Sequence, residues 1–274
     1  MDNSSNKRIV FFISDRSGKT SELIGQSLLS QFDSVEFEIK TYSFVTSVED
    51  VTSVAEEISK QLSLTSQKPL VFSTLVDPKL HRIIESTNAC VIGLFSNFIA
   101  PLEETLGIES SHTIGKPHEE YDETSYKKRI DAIDFTMKND DGININQFSE
   151  ADVILIGVSR SGKTPTCLYL ALNFSLRAAN YPLTDDDLQY EDLPEFLRLH
   201  KDKIIGLTIK PEHLSAIRQQ RRPESEYSSL VKCKSEVIEA EAMMRKAGIF
   251  MIESTSMSIE EIAINIIKEK HLYH

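Results

Sequence analysis

The stretch Gly157-Val158-Ser159-Arg160-Ser161-Gly162-Lys163-Thr164 combines glycine, lysine and hydroxyl residues at a spacing that suits phosphate binding. It satisfies the pattern G-x-x-x-x-G-K-[ST], in which backbone N–H groups surround an anion, the lysine contacts the β-phosphate region and the hydroxyl ligates Mg²⁺. The apolar run VILI precedes it, and a helical pattern opened by Pro165 follows. We predict a nucleotide-binding loop here, with Lys163 catalytic and Thr164 a metal ligand.

A near copy of this stretch lies close to the N-terminus. Residues 9–20 read IVFFISDRSGKT and end in the same four letters. Ile13 stands where the pattern needs its first glycine, so we reject this stretch as a second nucleotide loop and interpret Lys19 as incidental. A strand-to-helix turn at a sheet edge still suits a weaker anion or substrate site. The residues placed to act there are Ser14, Asp15, Gly18 and Thr20.

Acids for Mg²⁺ are harder to assign. Asp152 opens the strand whose far end carries the loop, so several residues at ~3.3 Å each separate it from the phosphates. The segment 180–187 leaves the same sheet edge as the loop and contains Asp185, Asp186 and Asp187. A solvated acidic turn explains any one of them equally well. Lys210 stands at the end of the next strand, where an acid is usual.

Three arginines and two histidines are weaker candidates. Arg218, Arg221 and Arg222 could clamp phosphate or a phosphorylated partner, and a solvated helix end explains them about as well. For His112 and His118 a solvated loop is the favoured interpretation, because neither has metal-ligand spacing.

The order of elements predicts an α/β fold. Apolar strand patterns alternate with helical ones, which implies parallel pairing through right-handed crossovers. The alternation pauses at a helix predicted over 126–137 and a turn at 138–142, and then begins again. We therefore predict two tandem parallel-sheet α/β layers: an N-terminal α/β domain with a connector helix at 1–146, and a P-loop nucleotide-binding, kinase-like domain at 147–274.

The composition limits the cellular location and the classes of binding partner that we expect. The 274 residues carry a formal net charge of −12, which argues against broad binding to nucleic acid or anionic membranes. No apolar run reaches membrane-spanning length, and the polar N-terminus lacks the apolar core of a signal peptide. Three widely spaced cysteines fit neither a disulfide framework nor a zinc site. We expect a cytoplasmic protein with reduced thiols.

Longer motifs carry a resemblance that covers nearly the whole chain. They include ISDRSGKTSE, KRIDAIDFTMKNDDG, GVSRSGKTPTCLYLA with RAANYPLT, and GLTIKPEHLSAIRQQRRPESEYSSL. The chain resembles the bacterial regulatory proteins of phosphoenolpyruvate synthase, which belong with the pyruvate, phosphate dikinase regulatory proteins. The family pattern Ser-Asp-x-x-Gly-x-Thr matches Ser14, Asp15, Gly18 and Thr20, with Lys19 at a variable position.

The resemblance implies a bifunctional enzyme. Family members use ADP to phosphorylate a threonine on the synthase or dikinase, which inactivates it, and reverse this with inorganic phosphate, releasing pyrophosphate. The target carries a phosphohistidine of its own. The family's nucleotide loop falls on Gly157–Thr164 here, and Mg²⁺ is expected with the ADP. We assign Asp15 to handling the target hydroxyl or phosphate, with Arg221 and Arg222 as further phosphate-binding candidates.

Two other functions remain open at this point. A P-loop kinase of a small metabolite would prefer ATP and need no protein target. A non-catalytic nucleotide-sensing adaptor would bind nucleotide and partner without changing the partner's mass. The sequence also leaves open whether the target is the synthase or the dikinase, and whether the chain forms a homo-oligomer.

Overall fold

The computed structural model describes residues 7–65, 67–113, 123–190 and 192–272. The chain divides into two compact units between residues 120 and 121. Each unit contains a four-stranded, all-parallel sheet with flanking helices. This confirms the predicted α/β fold of two tandem parallel-sheet layers.

The first unit has the strand order β2-β1-β3-β4. Successive residues of β1 enter different cores because side chains alternate across a sheet. Phe11 and Ile13 pack with α2 and α3, whereas Val10 and Phe12 pack with Leu29 of α1. The elements are β1 Lys7–Ile13, α1 Lys19–Leu29, β2 Glu36–Tyr42, α2 Val48–Thr65, β3 Leu70–Ser73, α3 Pro78–Glu85, β4 Cys90–Gly93 and α4 Leu94–Leu106.

The second unit has the strand order β6-β5-β7-β8. Its central strand β5 is buried along its whole length, which explains the continuous apolar run that precedes the glycine loop. The elements are α5 Glu123–Lys138, β5 Val153–Gly157, α6 Lys163–Phe174, β6 Ala178–Pro182, α7 Asp185–Leu188, α8 Glu195–Arg198, β7 Ile204–Thr208, α9 Pro211–Arg221, α10 Leu230–Lys246, β8 Met251–Glu253 and α11 Ile259–Lys270.

The division between the units differs from the predicted boundary at 146/147 because of helix α5. The Ala178 N–H of β6 donates to Thr136 Oγ1 of α5 at 3.2 Å. The Arg177 guanidinium lies over the Phe135 ring, 5.9 Å from its centroid. The helix read as a connector of the first domain therefore packs on the second sheet and belongs to the second unit.

Two helices differ from their sequence patterns. The sequence pattern predicts a strand over 89–95 and a helical turn or two over 102–106. The strand instead ends at Gly93, and α4 begins at Leu94 and continues through Pro101. The apolar spacing of α10 predicts a core stripe of Leu230, Val237, Ile238, Met243 and Met244. Val237, Met243 and Met244 are buried, but Leu230 is 39% exposed and Ile238 is 65% exposed, so these two are not core residues. Within the described residues, no helix is both long and apolar enough to cross a membrane.

Candidate functional site

The loop Gly157–Thr164 joins the carboxyl end of β5 to the start of α6. Both glycines of the pattern have a structural reason. Gly157 has φ +148°, and a Cβ there would lie 2.2 Å from the carbonyl oxygen of Leu207 in β7. Gly162 has φ +96° at the N-cap of α6. Only glycine adopts these conformations without strain, so the two glycines allow a tight turn at a helix N-terminus, a position that favours anions.

Lys163 is folded into this loop. Its side chain is 4% exposed, and Nζ donates to the carbonyl oxygens of Gly157 at 3.1 Å and Val158 at 2.9 Å. Burial lowers the pKa of Lys163 to about 8, and the negative charge of Asp141 opposes part of this effect. The loop thus places an ammonium group where the pattern puts a phosphate contact.

Thr164 meets an acid that the sequence interpretation missed. Thr164 Oγ1 donates to Asp140 Oδ1 at 2.8 Å, and the Asn180 side-chain amide donates to the same oxygen. Asn180 Oδ1 also accepts from the Asp141 N–H at 3.2 Å. Asn180 of β6 therefore holds the turn that follows α5 against the glycine loop. The turn residues KNDDG indicated only a chain reversal, because local pattern does not show which side chain a turn will meet.

The Asp140–Thr164 pair fits Mg²⁺ in its chemistry. Hydroxyl and carboxylate oxygens are the hard ligands that Mg²⁺ prefers, and the ion usually uses one or two carboxylates with phosphates and water. Among the described residues, no group of three or more His, Cys, Asp or Glu could hold a metal ion. Mg²⁺ held by this pair would need its remaining ligands from water or from a bound phosphate.

Three of the other candidate acids, Asp152, Asp185 and Asp187, make structural contacts. Thr184 and Asp187 form a capping box at the start of α7. Asp185 pairs with Lys232 at 2.6 Å. Asp152 accepts from the Arg177 N–H at 2.7 Å, near the end of β5 opposite the loop. The structure therefore places these acids in capping and surface contacts.

A cavity of about 650 Å³ adjoins the loop, a volume typical of small-molecule sites. The three candidate arginines occupy different positions relative to this cavity. Arg221 lines the cavity, Arg218 is buried behind the loop, and Arg222 is exposed and not among the described lining residues. The lining consists of Asp140, Asp141, Ser159, Arg160, Gly162, Lys163, Thr164, Pro165, Ile217 and Arg221.

The near copy in the first unit has the same turn but a different lysine environment. Gly18 has φ +80° and N-caps α1, as Gly162 does for α6. Ile13 is the last residue of β1 and is fully buried. The Lys19 side chain is 82% exposed and pairs with Glu22 at 3.0 Å. This lysine therefore faces solvent, whereas Lys163 lies inside its loop.

Ser14, Asp15, Gly18 and Thr20 nevertheless line one cavity of about 300 Å³. Asp15 is 5% exposed and accepts from the Val76 N–H at 3.0 Å. Burial raises the pKa of Asp15, so the fold keeps a carboxyl group where its charged form is disfavoured. His112 lines the same cavity, and His118 lies outside the described residues.

The two parallel sheets, with a glycine-lysine loop at the carboxyl end of the central strand of the second, define a two-unit α/β protein. A family model described as Kinase/pyrophosphorylase matches residues 10–267, and the chain belongs to this kinase/pyrophosphorylase family.

Curated relatives extend over almost the whole chain. One from Hahella chejuensis is 44% identical over 270 residues, covering 97% of this chain and 99% of the relative. One from Bordetella avium is 45% identical, covering 98% of each chain. One from Pseudomonas fluorescens Pf0-1 is 46% identical, covering 96% of this chain and 97% of its own. Each bears the name "Putative phosphoenolpyruvate synthase regulatory protein".

Proposed function

We propose that this protein phosphorylates a threonine of phosphoenolpyruvate synthase with ADP and removes that phosphate by phosphorolysis with inorganic phosphate. The observation that carries the proposal is Lys163, buried inside a complete glycine loop at the start of a helix. Family membership and the relatives' printed name support a kinase and pyrophosphorylase acting on the synthase. Such a regulator would work in the cytoplasm.

ADP as donor suits the loop. The threonine hydroxyl releases its proton and its oxygen attacks the β-phosphorus. The bond from that phosphorus to the bridging oxygen breaks, and AMP leaves. In the reverse process an oxygen of inorganic phosphate attacks the phosphothreonine phosphorus. The bond to the threonine oxygen then breaks, pyrophosphate leaves and the threonine regains a proton. Lys163 and the backbone N–H groups of the loop position and neutralise the phosphates, which is the main contribution proteins make to phosphoryl transfer.

Mg²⁺ would be held by Thr164 and Asp140, and it would neutralise charge on the phosphate oxygens. Asn180 keeps Asp140 in place through its side-chain amide. Arg221, which lines the same cavity, supplies a further cation for a phosphate group. In the first unit, Asp15 handles the target hydroxyl or phosphate, with Ser14, Gly18 and Thr20 around it.

The repeated SGKT sequence supplies a matched test. Synthase that carries phosphate on its own histidine is mixed with ADP or ATP and each protein variant, and the intact mass of the synthase is measured. We expect wild-type protein and Lys19→Ala to add one phosphate with ADP, and Lys163→Ala to add none. Lys163→Ala should also fail to release pyrophosphate from phosphorylated synthase, because both directions use the same loop.

Other outcomes would identify another function. Phosphorylation of a small acceptor with ATP, and none of the synthase, would indicate a metabolite kinase. Binding of nucleotide and synthase with no mass change would indicate an adaptor. Full transfer by folded Lys163→Ala protein would contradict the assignment of the loop.

A further inference from the structure

Several carbonyl oxygens of the glycine loop are held by hydrogen-bond donors, some from outside the loop and one from within it. Gly157 O accepts from the Leu183 N–H at 3.0 Å, and Ser161 O accepts from Ser254 Oγ at 2.9 Å. Val158 O accepts from the Ser161 N–H at 3.3 Å. In a trans peptide the C=O and N–H bonds point in opposite directions. Each held carbonyl therefore turns the following N–H away from its donor.

Arg218 of α9 holds the Ser159 carbonyl. Its guanidinium donates to Ser159 O at 3.1 Å, and the side chain is 0% exposed. The same group donates to Glu236 Oε2 at 2.6 Å and to Tyr227 O at 3.0 Å. It also lies over the Tyr227 ring, 4.0 Å from the centroid. These contacts fix the planar guanidinium, so Ser159 O meets a donor of fixed position.

The orientation of the Ser159–Arg160 peptide matters because Arg160 lines the cavity beside the loop. With Ser159 O directed to Arg218, the Arg160 N–H points away from Arg218. Arg160 has φ +75°, a left-handed conformation that is strained for a residue with a side chain. The contact with Arg218 holds the preceding peptide in the orientation that this conformation requires.

Lys163 does not orient the Ser159–Arg160 peptide. Its hydrogen bonds go to the carbonyls of Gly157 and Val158, both of which also accept from backbone N–H groups. When Lys163 turns to a phosphate, those two carbonyls keep their backbone donors. The Ser159 carbonyl keeps Arg218, so the orientation of this peptide is independent of the lysine.

We propose that Arg218 is a positioning residue for phosphate binding: it orients the Ser159–Arg160 peptide so that the Arg160 N–H serves the phosphates of a nucleoside diphosphate or of pyrophosphate. This inference rests on the proposed function and deepens it. Stability alone gives little reason for this residue, because α9 and α10 also pack through Leu214 and Val237, and buried ion pairs often stabilise no more than apolar residues.

Two variants separate positioning from stability. Arg218→Lys keeps a positive charge for Glu236 but loses the fork that reaches several acceptors. Glu236→Gln weakens the same ion pair and keeps the guanidinium donor to Ser159. We would measure urea unfolding of each variant, and the dissociation constants of ADP and inorganic pyrophosphate by calorimetry under conditions in which all proteins are folded.

We expect Arg218→Lys to raise the dissociation constants of both ligands about 10- to 100-fold, the effect of one lost hydrogen bond to a charged group. Glu236→Gln should stay within about threefold of wild type, although both variants lower stability. Equal weakening in both variants, in proportion to lost stability, would overturn the proposal. Unchanged binding in Arg218→Lys would overturn it and leave the proposed function intact. If wild-type protein bound neither ligand, the proposed function would fail, and the role of Arg218 with it.

Discussion

At the scale of single residues, the two lysines of the repeated SGKT sequence have opposite environments. Lys19 is exposed and pairs with an acid one helical turn away, whereas Lys163 is buried and bonded to loop carbonyls. The sequence distinguished them through one position, Ile13 against Gly157. This prediction was possible because a loop residue with φ +148° and a strand carbonyl at its Cβ position has to be glycine.

The pKa of Lys163 predicts how ADP binding depends on pH. In the protein alone the pKa is about 8, below its usual value of 10.5. A bound phosphate favours the ammonium and raises this pKa, so binding above pH 8 requires proton uptake. We expect the dissociation constant of ADP to be flat from pH 7 to 8 and then to rise up to about tenfold per pH unit.

The control is Lys163→Arg, whose guanidinium stays protonated throughout this range. Its ADP affinity, measured by calorimetry at constant Mg²⁺, should lose the rise above pH 8. An equally flat profile in wild-type protein from pH 7 to 9.5 would contradict the coupling.

Asp15 gives a prediction in which stability and activity change in opposite directions. Burial raises the pKa of its carboxyl group, so the folded protein binds a proton more tightly than the unfolded chain does. The charged form therefore costs stability at neutral pH, and this cost disappears as the pH falls toward 3.8. Asp15→Asn should therefore raise the urea midpoint at pH 7. The asparagine side-chain oxygen can still accept from the Val76 N–H.

The same substitution should lower transfer to the synthase about 100-fold, because a residue that handles the reacting hydroxyl typically contributes this much. ADP affinity should not change. Asp33→Asn, at an exposed position in the same unit, is the control and should alter neither property. Unchanged phosphoryl transfer by the Asp15→Asn protein would show that Asp15 takes no part in the reaction.

At the scale of elements, strands were predicted more accurately than the segments between them. The alternating pattern at 35–44 predicts a half-exposed strand and the apolar run at 151–156 a buried one, and the structure has β2 and β5 there. Helix α4 was underestimated because Pro101 lies inside it, and proline usually ends or kinks a helix. The local sequence pattern does not predict such exceptions, because tertiary packing decides whether a helix continues past a proline.

Helix α6, which carries the loop at its start, ends at a strained residue. Ser175 at its C-cap has φ +56°, the left-handed conformation that favours glycine. Ser175→Gly should raise the free energy of unfolding by about 0.5–1 kcal/mol, and Ser175→Ala should lower it or leave it unchanged. Urea denaturation measures both. Equal stabilisation by both substitutions would contradict the strain argument.

At the scale of the whole molecule, the sequence predicted two α/β layers and located the glycine-lysine loop in the second. It did not predict that Asp140 would meet Thr164, or that Arg218 would meet Ser159. Asp140 reaches the loop because Asn180, 40 residues later, holds its turn in place. Arg218 and Ser159 are 59 residues apart and belong to different elements. Contacts over such separations depend on how elements pack, which spacing within one segment does not encode.

The burial of Ile13 limits how the first unit could acquire a nucleotide loop by mutation. Ile13 is fully buried among residues of α2 and α3. Its replacement by glycine would complete the loop pattern but would cost about 3–5 kcal/mol of core packing, a large part of the 5–15 kcal/mol that stabilises a typical domain. The first turn departs from the loop pattern at one residue, Ile13, yet the substitution that would supply the missing glycine would also remove a buried core side chain.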